Sequence, residues 1–260
     1  MAAPSFAQHF DDIAPRYRHV RRLDVRAVRR IARALARLKP SASGLHVLDV
    51  GTGTGRYLQA LTDELGRHGV ALGRAVGVDA SRAMLRGLGG AARGAVALAE
   101  ALPLPTAGFD AVVSFNAVHH FGLDGFVGEA GRTLRPGGVL VIYTRTPEQN
   151  RRTIWGEHFP EFAQRETRLP TRDDLRTAVR ASGAFRRVRL RTAAWWQFTT
   201  LGALEGQAHA RHYSTFRLYA PEEFETALSR FRARLRRHFN SLRGIPVRNN
   251  HLIVFATRRA

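Results

Sequence analysis

Five short apolar segments, each separated from the next by enough chain for a turn or helix, constrain the fold of this 260-residue chain most strongly. They are HVLDV at 46–50, AVGVDAS at 75–81, AVALAEALPLP at 95–105, FDAVVSFN at 109–116 and GGVLVIYT at 137–144. Apolar runs that alternate with helix-length connections are typical of a parallel sheet with helices on both faces. The sequence therefore predicts an α/β fold.

Further elements flank these five segments. Apolar residues at three- and four-residue steps predict a helix over 21–38, and the cap and stop signals of 171–183 predict another. A sixth strand is expected at 185–196 and a seventh at 250–258, with a helix starting at Pro221 between them. The apolar stripe of that helix consists of Phe224, Leu228, Phe231, Leu235 and Phe239.

Composition excludes several kinds of chemistry. The chain has no cysteine, which rules out disulfides, thiolate nucleophiles and Cys-ligated metal sites, and we expect no metal. It has no apolar run that suits a secretory signal or a membrane span. We therefore expect a cytoplasmic protein without a membrane partner.

The formal net charge of +20 favours a polyanionic partner at first sight. All but one of the 41 basic residues are arginine, the exception being Lys39, and Ala and Gly are abundant. This bias indicates a GC-rich genome and weakens the inference. We expect no specific nucleic acid partner, and an RNA substrate stays an alternative.

The segment VLDVGTGTGRY at 47–57 places a glycine-rich turn between a strand and a helix, where backbone can approach a ligand. Gly51, Gly53 and Gly55 occupy the first, third and fifth positions of the turn. The dinucleotide fingerprint needs the sixth position as well, where this chain has Arg56. No Lys follows, so a phosphate-binding loop is also excluded.

Asp79 ends the second predicted strand, where a carboxylate can accept two hydrogen bonds from a ribose diol. A buried carboxylate without a partner would be too costly to keep. Together with the turn, Asp79 predicts a ligand that carries a nucleoside and no pyrophosphate.

These motifs resemble the class I S-adenosylmethionine-dependent methyltransferases, in the branch called methyltransferase type 11. The resemblance covers roughly 45–145, and five motifs occur in the expected order: VLDVGTGTG, VGVDAS, AEALPLP, FDAVVSFNAVHHF and LRPGGVLVI. It implies S-adenosylmethionine as cofactor and a Rossmann-like, seven-stranded, mostly parallel sheet with helices on both faces and an antiparallel seventh strand.

The resemblance also implies a division of the chain within a single domain. The start, FAQHFDDIAPRYRHVR, is similar to a segment that folds over the cofactor, so 1–40 would be that segment and a helix. The cofactor-binding core would be 41–145, and 146–260 would hold the remaining strands and substrate-lid insertions.

Carried over by position, Asp49 would lie near the cofactor's ammonium and Asp79 would take the ribose hydroxyls. Ala80 would lie beside the adenine and Glu100 at its edge, although Glu100 could instead be a solvated side chain. Close helix packing is an equal explanation for Gly55. The implied cofactor-binding residues are Tyr17, Asp49, Gly51, Thr52, Gly53, Gly55, Asp79, Ala80, Glu100, Ala101, Asn116 and Ala117.

Two histidines follow the fourth strand, His119 and His120. Methyl transfer needs an aligned nucleophile and, where that nucleophile is protonated, a base. The loop should lie at the carboxyl ends of the strands, where open parallel sheets bind ligands. Either histidine is a candidate base, and the alternative is that one only fixes the loop.

In the implied topology, the segments after Thr144 and between strands six and seven emerge on the cofactor face as a lid. Their aromatic residues suit an aromatic or apolar acceptor, or else fill the lid's own core. The candidate acceptor-binding residues are Trp155, Trp196, His212 and Tyr213.

We expect methyl transfer to an oxygen, nitrogen or carbon of a small molecule; the alternatives are an RNA methyltransferase and a noncatalytic cofactor-binding protein. The oligomeric state stays open.

Overall fold

The computed structural model describes residues 23–38, 43–90 and 92–260, which form two compact units. Unit 1 holds the described residues up to Thr144 together with Arg172–Arg191 and Ile253–Ala260. Unit 2 holds Arg145–Thr171 and Thr192–Leu252. The predicted cofactor-covering segment before residue 23 and its Tyr17 lie outside the described residues.

The described strands form one seven-stranded sheet in the order β3-β2-β1-β4-β5-β7-β6. The first five strands pair in parallel, and β7 is antiparallel. Their bounds are β1 Leu45–Val50, β2 Leu72–Asp79, β3 Arg93–Val96, β4 Phe109–Phe115, β5 Leu134–Thr144, β6 Phe185–Thr199 and β7 Ile245–Arg258. The predicted Rossmann-like α/β fold with an antiparallel last strand is confirmed.

The helices surround the sheet or belong to unit 2. Unit 1 contains α1 Val25–Leu35, α2 Arg56–Arg67, α3 Arg82–Leu85, α4 Leu123–Thr133 and α8 Arg172–Ala181. Unit 2 contains α5 Pro147–Arg151, α6 Ile154–His158, α7 Phe162–Arg165, α9 Leu201–His209 and α10 Pro221–His238. Of these described helices, none combines the length and the apolar character that crossing a bilayer requires.

Burial follows the sequence pattern closely in unit 1. Every residue of β4 is buried, as expected for a central strand covered on both faces. The predicted amphipathic helix is α1, whose Val28, Ile31 and Leu35 are buried and whose first turn is capped by the Asp24 carboxylate. Apolar periodicity therefore identified the faces that pack.

The expectation of a third strand over 95–105 was wrong in extent, because β3 ends at Val96. Ala99 and Leu102 are buried in the connection that follows, which explains the apolar run. The Leu102 N–H donates to the Glu129 carboxylate instead of a neighbouring strand. Prolines at 103 and 105 have no N–H for a sheet ladder, so strand pairing cannot continue there.

Unit 2 has a core of its own, built largely from aromatic side chains. The predicted stripe of α10 supplies buried Phe224, Leu228, Phe231 and Leu235, with Phe239 half-buried after the helix. The other buried members are Ile154, Trp155, Phe159, Phe162, Leu201, Leu204, Ala208, Phe216, Tyr219, Ala227, Ile245 and Val247.

Candidate functional site

The glycine turn after β1 has left-handed backbone at each of its three glycines. Gly51, Gly53 and Gly55 have φ values of 72°, 56° and 74°. A Cβ on Gly51 would lie 2.5 Å from the Ala117 Cβ, and one on Gly55 would lie 2.2 Å from a methyl carbon of Leu88. Backbone conformation and close packing therefore account for Gly51 and Gly55 without any ligand.

Asp49 is a buried carboxylate at the end of β1. Its Oδ2 accepts a hydrogen bond from the Thr52 hydroxyl at 2.8 Å, while Oδ1 is buried without a hydrogen-bond partner among the described residues. Burial raises the pKa of Asp49 to about 8, the Thr52 bond opposes the rise, and the nearby Asp79 charge adds to it. Within the part of the chain that the structure describes, no cation pairs with this carboxyl group.

Asp79 holds the same turn from the neighbouring strand. Its Oδ2 accepts from the Gly53 N–H at 2.7 Å, and its Oδ1 accepts from the Ser81 N–H at 2.9 Å. The backbone thus supplies two donors to this half-buried carboxylate, and these are partners that the sequence did not predict. A carboxylate oxygen can accept more than one hydrogen bond, so these backbone contacts are compatible with a ligand hydroxyl at the same group.

The residues expected around an adenine come from the ends of β2 and β3. Glu100 Oε1 accepts a hydrogen bond from the Gly122 N–H at 2.5 Å, which ties two loops of unit 1 together. Glu100 is therefore more than a solvated side chain. Ala80 and Ala101 are exposed and small, so they leave space at this edge of the sheet.

The chain after β4 turns sharply. Asn116 has a φ of 53°, a left-handed conformation that Asn adopts more readily than most residues, and its N–H donates to the Tyr143 carbonyl at 2.7 Å. Ala117 is buried, and a 3-10 turn over Val118–His120 follows. The rings of His119 and His120 lie 3.9 Å apart, and both residues are half-buried.

An aromatic cluster at the same ends of β4 and β5 was not predicted from the sequence. Tyr57 stacks on Phe115 at 4.6 Å, and Tyr143 lies 6.1 Å from Phe115. The Tyr143 hydroxyl donates to the Asp24 carboxylate at 2.5 Å, and the Asp24 N–H donates to the Tyr57 hydroxyl at 3.2 Å. The sequence did contain a signal for this cluster. Phe115, before Asn116, and Tyr143, before Thr144, are aromatic residues at the ends of two predicted strands.

The four residues predicted to bind the acceptor belong to unit 2 and lie in different environments. Trp155 is 3% exposed and stacks on Phe231, with ring centroids 4.9 Å apart, whereas Trp196 is 62% exposed. His212 and Tyr213 contact each other edge to face at 4.7 Å.

Tyr213 also contacts a buried cation. Its hydroxyl accepts from Arg145, a buried guanidinium, at 3.5 Å. Arg145 also lies 3.1 Å from the imidazole of the buried His251, whose pKa is held well below its usual range by burial and by this positive charge. His251 is therefore uncharged at neutral pH and can accept a hydrogen bond from Arg145.

No group of three or more His, Asp or Glu side chains is placed to hold a metal ion within residues 23–38, 43–90 and 92–260.

Comparison with known proteins identifies the family. Residues 48–142 match the family model described as a methyltransferase domain. An uncharacterized methyltransferase of Mycobacterium tuberculosis is 31% identical over 201 residues, which are 76% of each chain.

Two solved structures share the fold. An inferred methyltransferase from an antibiotic biosynthesis pathway of Anabaena variabilis matches with a TM-score of 0.63 and 21% identity, covering 90% of this chain and 98% of its own. The Haemonchus contortus phosphoethanolamine N-methyltransferase 2, solved with S-adenosylhomocysteine, matches with a TM-score of 0.52 and 18% identity, covering 88% of this chain and 52% of its own. With the five motifs in order on this sheet, the chain belongs to the class I S-adenosylmethionine-dependent methyltransferase family.

Proposed function

We propose that this protein transfers a methyl group from S-adenosylmethionine to an oxygen, nitrogen or carbon nucleophile of a small molecule. The observation that carries the proposal is Asp49, a buried carboxyl group with one oxygen lacking a hydrogen-bond partner in the described chain. A ligand ammonium is the complement that such a group needs. The Haemonchus enzyme that shares this fold was solved with the demethylated cofactor, which supports the choice of ligand.

The residues of unit 1 fit the parts of this cofactor. Asp49 would bind the ammonium, and the Asp79 carboxylate at the end of β2 would take the ribose hydroxyls. Asn116 and Ala117 lie at the carboxyl end of β4, which is where this class of sheet binds ligands. When bound, the cofactor supplies a methyl group already activated by its sulfonium.

The protein's own part in the reaction is alignment and, where needed, proton removal. The turn over Val118–His120 holds His119 and His120 as a contacting pair after β4. One of the pair would accept the proton of the acceptor's nucleophile, while its neighbour supports the ring. His212 and Tyr213 are proposed to contact the acceptor, and exposed Trp196 is proposed to cover it.

Calorimetric titration with S-adenosylhomocysteine tests the cofactor assignment. Asp79→Ala removes the proposed ribose acceptor and the group that accepts from the Gly53 and Ser81 N–H groups, so we expect affinity to fall by about 1.5 to 3 kcal/mol, or roughly tenfold or more. Asp124→Ala, at an exposed position of α4, is the matched control and should bind like the natural protein. Unchanged affinity in folded Asp79→Ala would contradict the assignment of Asp79 to the ribose. Binding heat with NAD but none with S-adenosylhomocysteine would contradict the choice of cofactor.

Activity is tested by incubating the protein with methyl-labelled cofactor and either small-molecule extract or RNA. Label in a small molecule supports the proposal, and label confined to RNA contradicts it.

Once the acceptor is identified, His119→Gln and His120→Gln distinguish a catalytic base from a supporting histidine. Replacing a true base should lower kcat about a hundredfold and flatten its pH profile, with cofactor affinity within about threefold. A supporting histidine should mainly lower the unfolding temperature.

A further inference from the structure

Unit 2 contains a cavity of about 420 Å³ whose lining residues, apart from Trp196, have no part in the proposed methyl transfer. Ligand sites of small molecules typically have volumes of about 300 to 1,000 Å³, so the cavity is large enough for a compact ring system. It is lined by Arg152, Ile154, Glu157, His158, Trp196, His238, Phe239, Pro246 and Arg248.

Rings form much of the cavity wall. His158 and His238 lie 4.8 Å apart, and Phe239 contacts both of them at 5.8 and 4.7 Å. Trp196 contributes an indole that is 62% exposed. Covering a large apolar side chain that otherwise faces water is favourable, and flat rings are the best complement to such walls.

The charge of the wall is positive. Arg152 and Arg248 make no ion pair within the described chain, whereas Arg165, Arg168 and Arg232 of the same unit are each bound to a glutamate. Glu157 is the single acidic lining residue, and it is exposed. Two guanidinium groups beside one carboxylate favour an anionic ligand.

His158 does not alter that balance at neutral pH. Burial, His238 and Arg234 together lower the pKa of the half-buried His158, so its ring is uncharged there. Arg234 also donates to the His158 carbonyl at 3.2 Å, which fixes the segment that carries the ring. His158 thus acts as an aromatic surface with a hydrogen-bonding edge.

We propose that this cavity binds a small aromatic anion, its ring against Trp196 and Phe239 and its carboxylate or phosphate on Arg152 and Arg248. Binding itself does not depend on methyl transfer.

The test is a binding titration without cofactor, using four naphthalenes that differ in one substituent. 1-Naphthoate and 1-naphthyl phosphate carry the two candidate anions, 1-naphthalenemethanol is neutral and 1-naphthylmethylamine is cationic. We expect at least one anion to bind at least tenfold more tightly than the neutral and cationic compounds. The better of the two anions identifies the charged group.

Matched variants locate the binding. Trp196→Ala should weaken anion binding about tenfold, whereas Phe198→Ala, on the same strand and 76% exposed but outside the cavity, should not. Arg152→Gln combined with Arg248→Gln should remove the preference for the anions, whereas Arg230→Gln on the exposed face of α10 should preserve it.

Several results would overturn the inference. One is equal binding of anionic and neutral naphthalenes; another is equal loss in Trp196→Ala and Phe198→Ala. A ligand-free dimer that Trp196→Ala dissociates would assign the surface to a second copy of the chain instead. S-adenosylhomocysteine is titrated into the same preparation. If S-adenosylhomocysteine binds and no anion binds, only the cavity assignment is wrong. If an anion binds and S-adenosylhomocysteine does not, the proposed function is contradicted and the cavity assignment is retained.

Discussion

Replacing Asp49 by asparagine should stabilise the ligand-free protein increasingly as the pH rises from about 5 to 8. The pKa of Asp49 is about 8 in the folded chain, well above the ordinary value of 3.8, because the group is buried. Between those two values the folded state holds a proton that the unfolded state has released, so this group lowers the free energy of unfolding as the pH rises. The limiting slope is about 1.4 kcal/mol per pH unit.

Urea unfolding of both proteins at pH 5, 6, 7 and 8 measures the effect. The free-energy difference between Asp49→Asn and the natural protein should grow with pH, because the amide of the variant does not titrate in this range. Asp63→Asn, which replaces an exposed carboxylate on α2 that accepts a hydrogen bond from Gln59, is the control and should follow the natural profile. A free-energy difference that is constant with pH would contradict the raised pKa of Asp49 in the folded protein.

The same substitution should cost function while it adds stability. An amide cannot form the charge-assisted bond to an ammonium, so S-adenosylhomocysteine should bind Asp49→Asn at least tenfold more weakly. A buried carboxyl group with an unsatisfied oxygen is costly, and groups of this kind are concentrated at functional sites. A variant that is both more stable and equally tight in binding would show that Asp49 does not hold the cofactor.

The parts of unit 1 that sequence could predict are those governed by local spacing. Three glycines at alternate positions after a buried strand require a turn, and the structure has left-handed backbone at all three. The partners of Asp79 were not predictable, because the N–H groups of Gly53 and Ser81 point at one carboxylate only after the turn and the start of α3 have formed. The strand at 95–105 was overextended because burial of Leu102 in a loop produces the same apolar signal as burial in a sheet.

The acceptor side was harder to predict for a different physical reason. A pocket wall and a protein core both require large apolar side chains, so sequence composition does not separate them. Trp155 and Trp196 were both candidate acceptor-binding residues, yet the first stacks on Phe231 and the second faces solvent. Only the packing of α6 against α10 distinguishes the two tryptophans.

Trp155→Ala should therefore destabilise the protein by about 3 to 5 kcal/mol, the usual cost of removing a buried tryptophan. The indole lies between Phe231 at 4.9 Å and Phe216 at 5.0 Å, and no small side chain can replace those contacts. Trp196→Ala is the matched control and should change the free energy of unfolding by less than about 1 kcal/mol, because its indole is mostly in water.

Thermal unfolding and urea unfolding of both variants measure these differences, with titration of S-adenosylhomocysteine at a temperature where both remain folded. Affinity within about threefold in Trp155→Ala, together with the large loss of stability, would assign this indole to the core of unit 2. A stable Trp155→Ala with a raised KM for an identified acceptor would instead return Trp155 to the acceptor pocket. The near-complete burial of Trp155 and its ring contacts with Phe231, Phe216 and Phe162 favour the first result.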